Sequence, residues 1–119
     1  MPVSRQQFKE LVTDALSELP QQFSSKLENV VIVIEDFPAP SQLNKLGLTS
    51  PYQLFGLYEG IPKTRRTGNY ALVAPDKITI FYQPIIRFFN ITEDIKNQVK
   101  KTVMHEIGHH FGLSEDELP

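Results

Sequence analysis

The 119-residue sequence has no cysteine, no tryptophan and only three histidines. Without cysteine there can be no disulfide framework and no thiolate metal site, so a metal would have to be held by nitrogen and oxygen. Long hydrophobic runs are missing too. The longest, Val30 to Ile34, falls far short of the ~20 apolar residues that a membrane-spanning helix needs. Neither sign of charge dominates: twelve Lys and Arg stand against fourteen Asp and Glu, a net charge of −2. Nucleic acid and anionic membranes are therefore not expected as partners. Arg5, Lys9, Glu10 and Asp14 fall where a leader's apolar stretch would lie, so no signal peptide is expected and the cytoplasm is the expected compartment. Length and a hydrophobic content of 40% suit one domain, residues 1–119, with a single modest core.

What is present reads in order as helix, strands, helix. Ser4 with Gln7 forms the pattern of a capping box, and Val3 with Phe8 a hydrophobic staple. Phe8, Leu11, Val12, Ala15, Leu16 and Leu19 then recur at 3–4 spacing until Pro20, one apolar stripe facing a core. One more helical turn is expected within residues 21–28. Val30 to Ile34 is a β-branched run of the kind found in a central strand covered on both faces. Glu35 and Asp36 at its end read as a solvated strand exit, with a second carboxylate site as the weaker alternative. A short helix stopped by Gly47, a strand over Tyr52–Tyr58 kinked at Gly56, and a basic exposed loop over Lys63–Asn69 follow. Tyr70–Ala74 reads as extended, and Lys77–Gln83 alternates as a third strand terminated by Pro84, after which Ile85, Ile86, Phe88 and Phe89 are expected to anchor the connection in the core. A last helix begins near Asn90 or Thr92, with Asn90 and Glu93 as its capping box and Ile91, Ile95, Val99, Val103 and Ile107 as its buried stripe. Lys96, Lys100 and Lys101 form its charged face, away from the histidines.

All three histidines lie in that helix, and two of them form H-E-x-x-H as His105, Glu106 and His109. Helix positions i and i+4 share a face with Cβ atoms about 5–6 Å apart. Two imidazoles so placed can share one Zn²⁺ at roughly 2.0–2.1 Å each. Glu106, one residue further round, overlooks the same ion without ligating it and is the candidate general base. His110 points ~100° away from His109 and reads as a neighbour of the site, not a ligand.

Zinc in hydrolases takes three protein ligands plus water. With no histidine left outside the helix, the third must be a carboxylate. In a continued helix residue 115 would lie roughly 9 Å beyond residue 109 on nearly the opposite face, and Asp116 about 10 Å away. Gly112 removes the difficulty, because glycine readily takes the left-handed conformation that ends a helix. After such a turn Glu115, Asp116 or Glu117 can come back to the ion.

These residues resemble the small bacterial zincin-like metallopeptidases. The resemblance covers nearly the whole chain: Leu19-Pro20, the strand from Val30 to Asp36, Leu54 to Pro62, Pro75 to Ile78 and, most specifically, His105 to Leu118. That family's pattern is H-E-x-x-H-x-x-G-x-x-D, matched here by His105, Glu106, His109 and Gly112. The final position holds Glu115, with Asp116 beside it, so position points to Glu115 and residue type to Asp116 as third ligand. The resemblance implies an α+β zincin-like fold: a small mixed sheet of about three strands, an N-terminal helix and a C-terminal active-site helix, with no methionine turn. It implies a zinc metallopeptidase acting on a peptide or protein substrate. Two alternatives stand beside it. One is a metal-dependent endoribonuclease of ribosomal RNA maturation, whose H-x-x-x-H-x-x-G-x-x-H helix is similar but lacks the equivalent of Glu106. The other is a non-catalytic, zinc-stabilised peptide-binding domain.

Overall fold

A computed structural model describes residues 3–60 and 75–112. The elements are α1 (Arg5–Ser17), α2 (Gln21–Ser24), β1 (Val30–Glu35), α3 (Pro40–Lys45), β2 (Gly56–Glu59), β3 (Asp76–Phe81), α4 (Tyr82–Phe88) and α5 (Thr92–His110), with 3-10 turns at Ser25–Leu27 and Pro51–Gln53. The loop read at Lys63–Asn69 and the extended stretch Tyr70–Ala74 lie outside the described residues.

Helix α1 starts as its sequence dictates. The Ser4 side chain accepts from the Gln7 N–H, and the Gln7 side chain accepts from the Ser4 N–H. Val3 and Phe8 are both buried, which completes the staple. Phe8, Val12 and Ala15 meet Val99, Val103 and Ile107 of α5 in one core, together with Ile78, Ile80 and Ile85. At the rim Glu18, just past α1, takes Lys96 at 2.8 Å and Lys100 at 3.0 Å. The two ammonium groups, Lys96 first, hold the Glu18 carboxyl below its ordinary pKa.

The sheet is mixed and, among the described residues, three-stranded in the order β1-β3-β2. β1 runs parallel to β3 with Val30 opposite Asp76, and β2 runs antiparallel with Tyr58 opposite Ile78. This places β3, not β1, in the middle and corrects the reading of Val30–Ile34 as central. Ile78, Thr79, Ile80 and Phe81 are all at most 1% exposed, whereas Val31 is 42% exposed. Unbroken apolarity only permits burial on both faces; pairing decides which strand receives it. The outer edge of β1 is blunted by Arg5, which donates to the Ile34 carbonyl at 2.7 Å and pairs with Asp36. Asp36 thus belongs to an edge cap and not to a second carboxylate site.

Four further expectations are corrected. Tyr52 sits in the 3-10 turn and β2 begins only at Gly56. Pro84 does more than end β3: it lies in the first turn of α4, where a helix needs no N–H. Phe88, 60% exposed, and Ile91, 59% exposed, are not core anchors. Helix α5 starts at Thr92 without the Asn90 cap; its N-cap is Ile91, and no side chain bonds there.

Gly56 is not a kink but a contact. A Cβ built on it would lie 2.6 Å from Thr102 Cγ2 and 3.2 Å from the Thr79 carbonyl oxygen. Thr102 is β-branched and buried, so it cannot swing aside cheaply. Gly56→Ala should therefore destabilise the protein by about 1–3 kcal/mol in urea titrations. Thr102→Ala in the same chain should recover part of that loss, and simple additivity of the two losses would argue against the contact.

Candidate metal centre and active site

Helix α5 is anchored on one side by Ile95, Val99, Val103 and Ile107, all 0% exposed. The adjoining stripe is Gln98, Lys101, Thr102, His105 and Glu106, spaced i, i+3, i+4, i+7, i+8 and hence one face of the helix. It looks across to Leu54, Phe55 and Gly56, and the two walls enclose a cleft of ≈ 250 Å³. A larger cavity, ≈ 530 Å³, lies between α1 and β1. It contains no histidine and no carboxylate, so the smaller cleft is where hydrolytic chemistry has its groups.

His105 is half-buried and His109 exposed, with ring centres 5.9 Å apart. Two imidazoles on one tetrahedral ion have centres roughly 5 Å apart, a gap that small side-chain rotations close. The pair fits zinc in donor type and span. Glu106 is fixed from the opposite wall. Its Oε1 accepts the Tyr58 N–H at 2.9 Å, and strand parity explains why. Phe81 N–H donates to the Phe55 carbonyl, so residues 55, 57 and 59 turn their backbone groups toward β3. Tyr58 turns its N–H to the outer edge, where α5 passes. Beyond the histidines the helix ends at His110, and Gly112 takes φ +75°, the left-handed turn expected of it.

The family model for zincin-like metallopeptidases matches residues 27–119, most of the chain. The chain belongs to the zincin-like metallopeptidase family. No curated protein matches it. Membership carries the general assignment of this zincin: a zinc metallopeptidase type of function with a peptide or protein as substrate class. No helix among its described residues is long and apolar enough to cross a membrane.

Burial holds the zincin's Glu106 carboxyl above its ordinary pKa, while the Tyr58 N–H and the nearby His109 and His105 oppose the shift. Among the described residues no cluster of three His, Asp or Glu is arranged to hold a metal; Glu115 and Asp116 lie outside them. Of the tyrosines that could stabilise an oxyanion, Tyr82 is buried and its hydroxyl donates to the Val3 carbonyl. The Tyr58 hydroxyl donates to Asp76 Oδ2 at 2.7 Å, and Tyr70 is outside the described residues.

Sequence reasoning missed the group around Asp76. His110 stacks on Tyr58 with ring centres 3.9 Å apart and planes 18° apart, and its Nε2 lies 3.9 Å from Asp76 Oδ2. Tyr58, Asp76 and His110 come from β2, β3 and α5, and no spacing along the chain links them. Lys101 is a second surprise. Instead of joining Lys96 and Lys100 on a remote charged face, it lines the cleft with His105.

The Glu106 shift has a measurable consequence. A carboxyl raised by burial favours folding below the unfolded value, near ~4.3, and that contribution is lost as pH rises through the folded value. In the metal-free protein, Glu106→Gln keeps an acceptor for the Tyr58 N–H and removes the buried charge. It should therefore raise the melting temperature at pH 7 by about 1–3 °C, a few tenths of a kcal/mol, and leave it unchanged near pH 4. A variant less stable at pH 7 would show that the Tyr58 bond and the histidines outweigh burial.

Proposed function

We propose that this zincin hydrolyses peptide bonds, with His105, His109 and an acid beyond Gly112 holding the zinc and Glu106 acting as general base. The observation that carries the reading is the placement of Glu106. Its carboxylate is held at a strand edge by the Tyr58 N–H, on the cleft-facing stripe of α5 and one residue round from His105. Zinc, when bound, lowers the pKa of a water to about 7 and polarises a carbonyl. The chain's own part is positioning and proton transfer. Tyr58 occupies one lone pair of Glu106 and fixes its rotamer. The other oxygen remains to take the proton of the attacking water and to deliver it to the leaving amine. Burial raises the Glu106 pKa, which brings a weak base nearer the neutral range where such transfer works best. Leu54 and Phe55 give the substrate an apolar wall.

For the third ligand, the helix end at His110 and the left-handed Gly112 support a chain reversal that returns Glu115 to the ion, with Asp116 as the alternative. Glu106 also favours the peptidase over the endoribonuclease reading, because that pattern has no base at this position.

Glu106→Gln should retain stoichiometric zinc and lose about 10²–10⁴-fold in kcat/KM on a cleaved peptide. Retained zinc with undiminished cleavage would remove Glu106 from the mechanism. His105→Ala should lose the metal, and chelation of the wild type should lower its melting temperature, since a ligand at a hundred times its Kd contributes about 2.7 kcal/mol. Zinc titrations of Glu115→Ala and Asp116→Ala decide between the acids: the variant that loses the metal names the ligand.

A further inference from the structure

We infer that the cleft carries a carboxylate subsite at Lys101, so that the preferred peptides present a carboxylate one or two residues from the scissile bond. This rests on the metallopeptidase reading and goes past it to the substrate. Lys101 is four residues before His105 and eight before His109, in the same column of the helix and about 6 Å back along its axis from His105. An extended peptide advances about 3.3–3.6 Å per residue. A chain lying along the helix with its scissile carbonyl beside His105 therefore places a residue one to two positions away over Lys101.

The charge there is available. Lys96 and Lys100 are spent on Glu18, whereas Lys101 makes no ion pair or hydrogen bond to any described residue. Among the described residues it is the one lysine or arginine lining the cleft, and Glu106 is the one carboxylate. Glu106 does not neutralise it, being drawn instead to the Tyr58 N–H. Opposite Lys101 stand Leu54 and Phe55, suited to the methylene body of a side chain whose acid end reaches across. Two sources share this chemistry: an Asp or Glu side chain beside the scissile bond, and a free C-terminal carboxylate one or two residues beyond it.

The test is a set of fluorogenic peptides carrying Glu or Gln at each of two positions on either side of the cleaved bond, with a second pair ending in a free or an amidated C-terminus. For the zinc-loaded wild type we expect kcat/KM to favour the carboxylate member of one pair by about two- to five-fold, the range exposed ion pairs give. The responding pair identifies the source. Lys101→Met should bring that ratio to about one, Lys101→Glu should invert it, and Lys100→Met should leave it unchanged. An equal ratio in wild type and Lys101→Met overturns the subsite. A second arm measures the same peptides by NMR titration against zinc-loaded Glu106→Gln, with and without Lys101→Met. Carboxylate-selective binding that disappears with Lys101 supports the subsite even where no peptide is cleaved, an outcome that would defeat only the hydrolytic reading. Binding blind to both the carboxylate and Lys101 rejects the subsite.

Discussion

Helix α5 packs against strand β2 where position 56 has no side chain, and the rest of the site depends on that approach. Gly56 leaves the space into which Thr102 fits. One turn further along the helix, and two residues further along the strand, the same proximity brings the Tyr58 N–H within 2.9 Å of Glu106. A side chain at position 56 would push the strand outward and lengthen that bond first. The glycine thus sets how far the Glu106 carboxylate stands from the strand that orients it.

The other side of α5 is fixed by more conventional means. Four branched residues, Ile95, Val99, Val103 and Ile107, are wholly buried, and at about 1.5–3 kcal/mol for each buried side chain they secure the helix far more firmly than any surface ion pair. The Glu18 bridge to Lys96 and Lys100 is solvent-screened and adds little stability. Its consequence is electrostatic. It occupies Lys96 and Lys100 on the α1 side, and among the described residues Lys101 is the one cation lining the cleft, beside Glu106.

Much of this was legible in the residues. The capping box at Ser4, the helix from Thr92 that carries His105, Glu106 and His109, and the left-handed Gly112 are local features, governed by neighbours a few positions away, and the structure bears them out. What could not be read depends on pairing between distant segments. Val30–Ile34 looked central because its side chains are apolar, yet strand order is set by which edges meet, and β3 took the middle. Gly56 looked like a kink because its partner, Thr102, is 46 positions away in the chain. The group around Asp76 was hidden for the same reason, since Tyr58 and His110 reach it only after the sheet has formed. Lys101 was misassigned by a subtler route: it was grouped with Lys100 by adjacency, although successive helix positions point ~100° apart and its true neighbour is His105.

Burial of Glu106 carries a cost that is part of its use. A carboxylate half removed from water, with one backbone N–H to offset the loss, weakens the metal-free fold as it ionises. A cation seated between His105 and His109 favours the ionised form, so metal binding and the charging of Glu106 support one another. Strain of this kind collects at functional sites and is sustained by stability elsewhere. Here the elsewhere is the core shared by α1, β3 and α5, whose buried residues surround the stripe without supplying a polar partner to it. On the function and subsite proposed above, the charge of Lys101, which pairs with no described residue, and the half-buried charge of Glu106 are two parts of one arrangement that metal and peptide would complete.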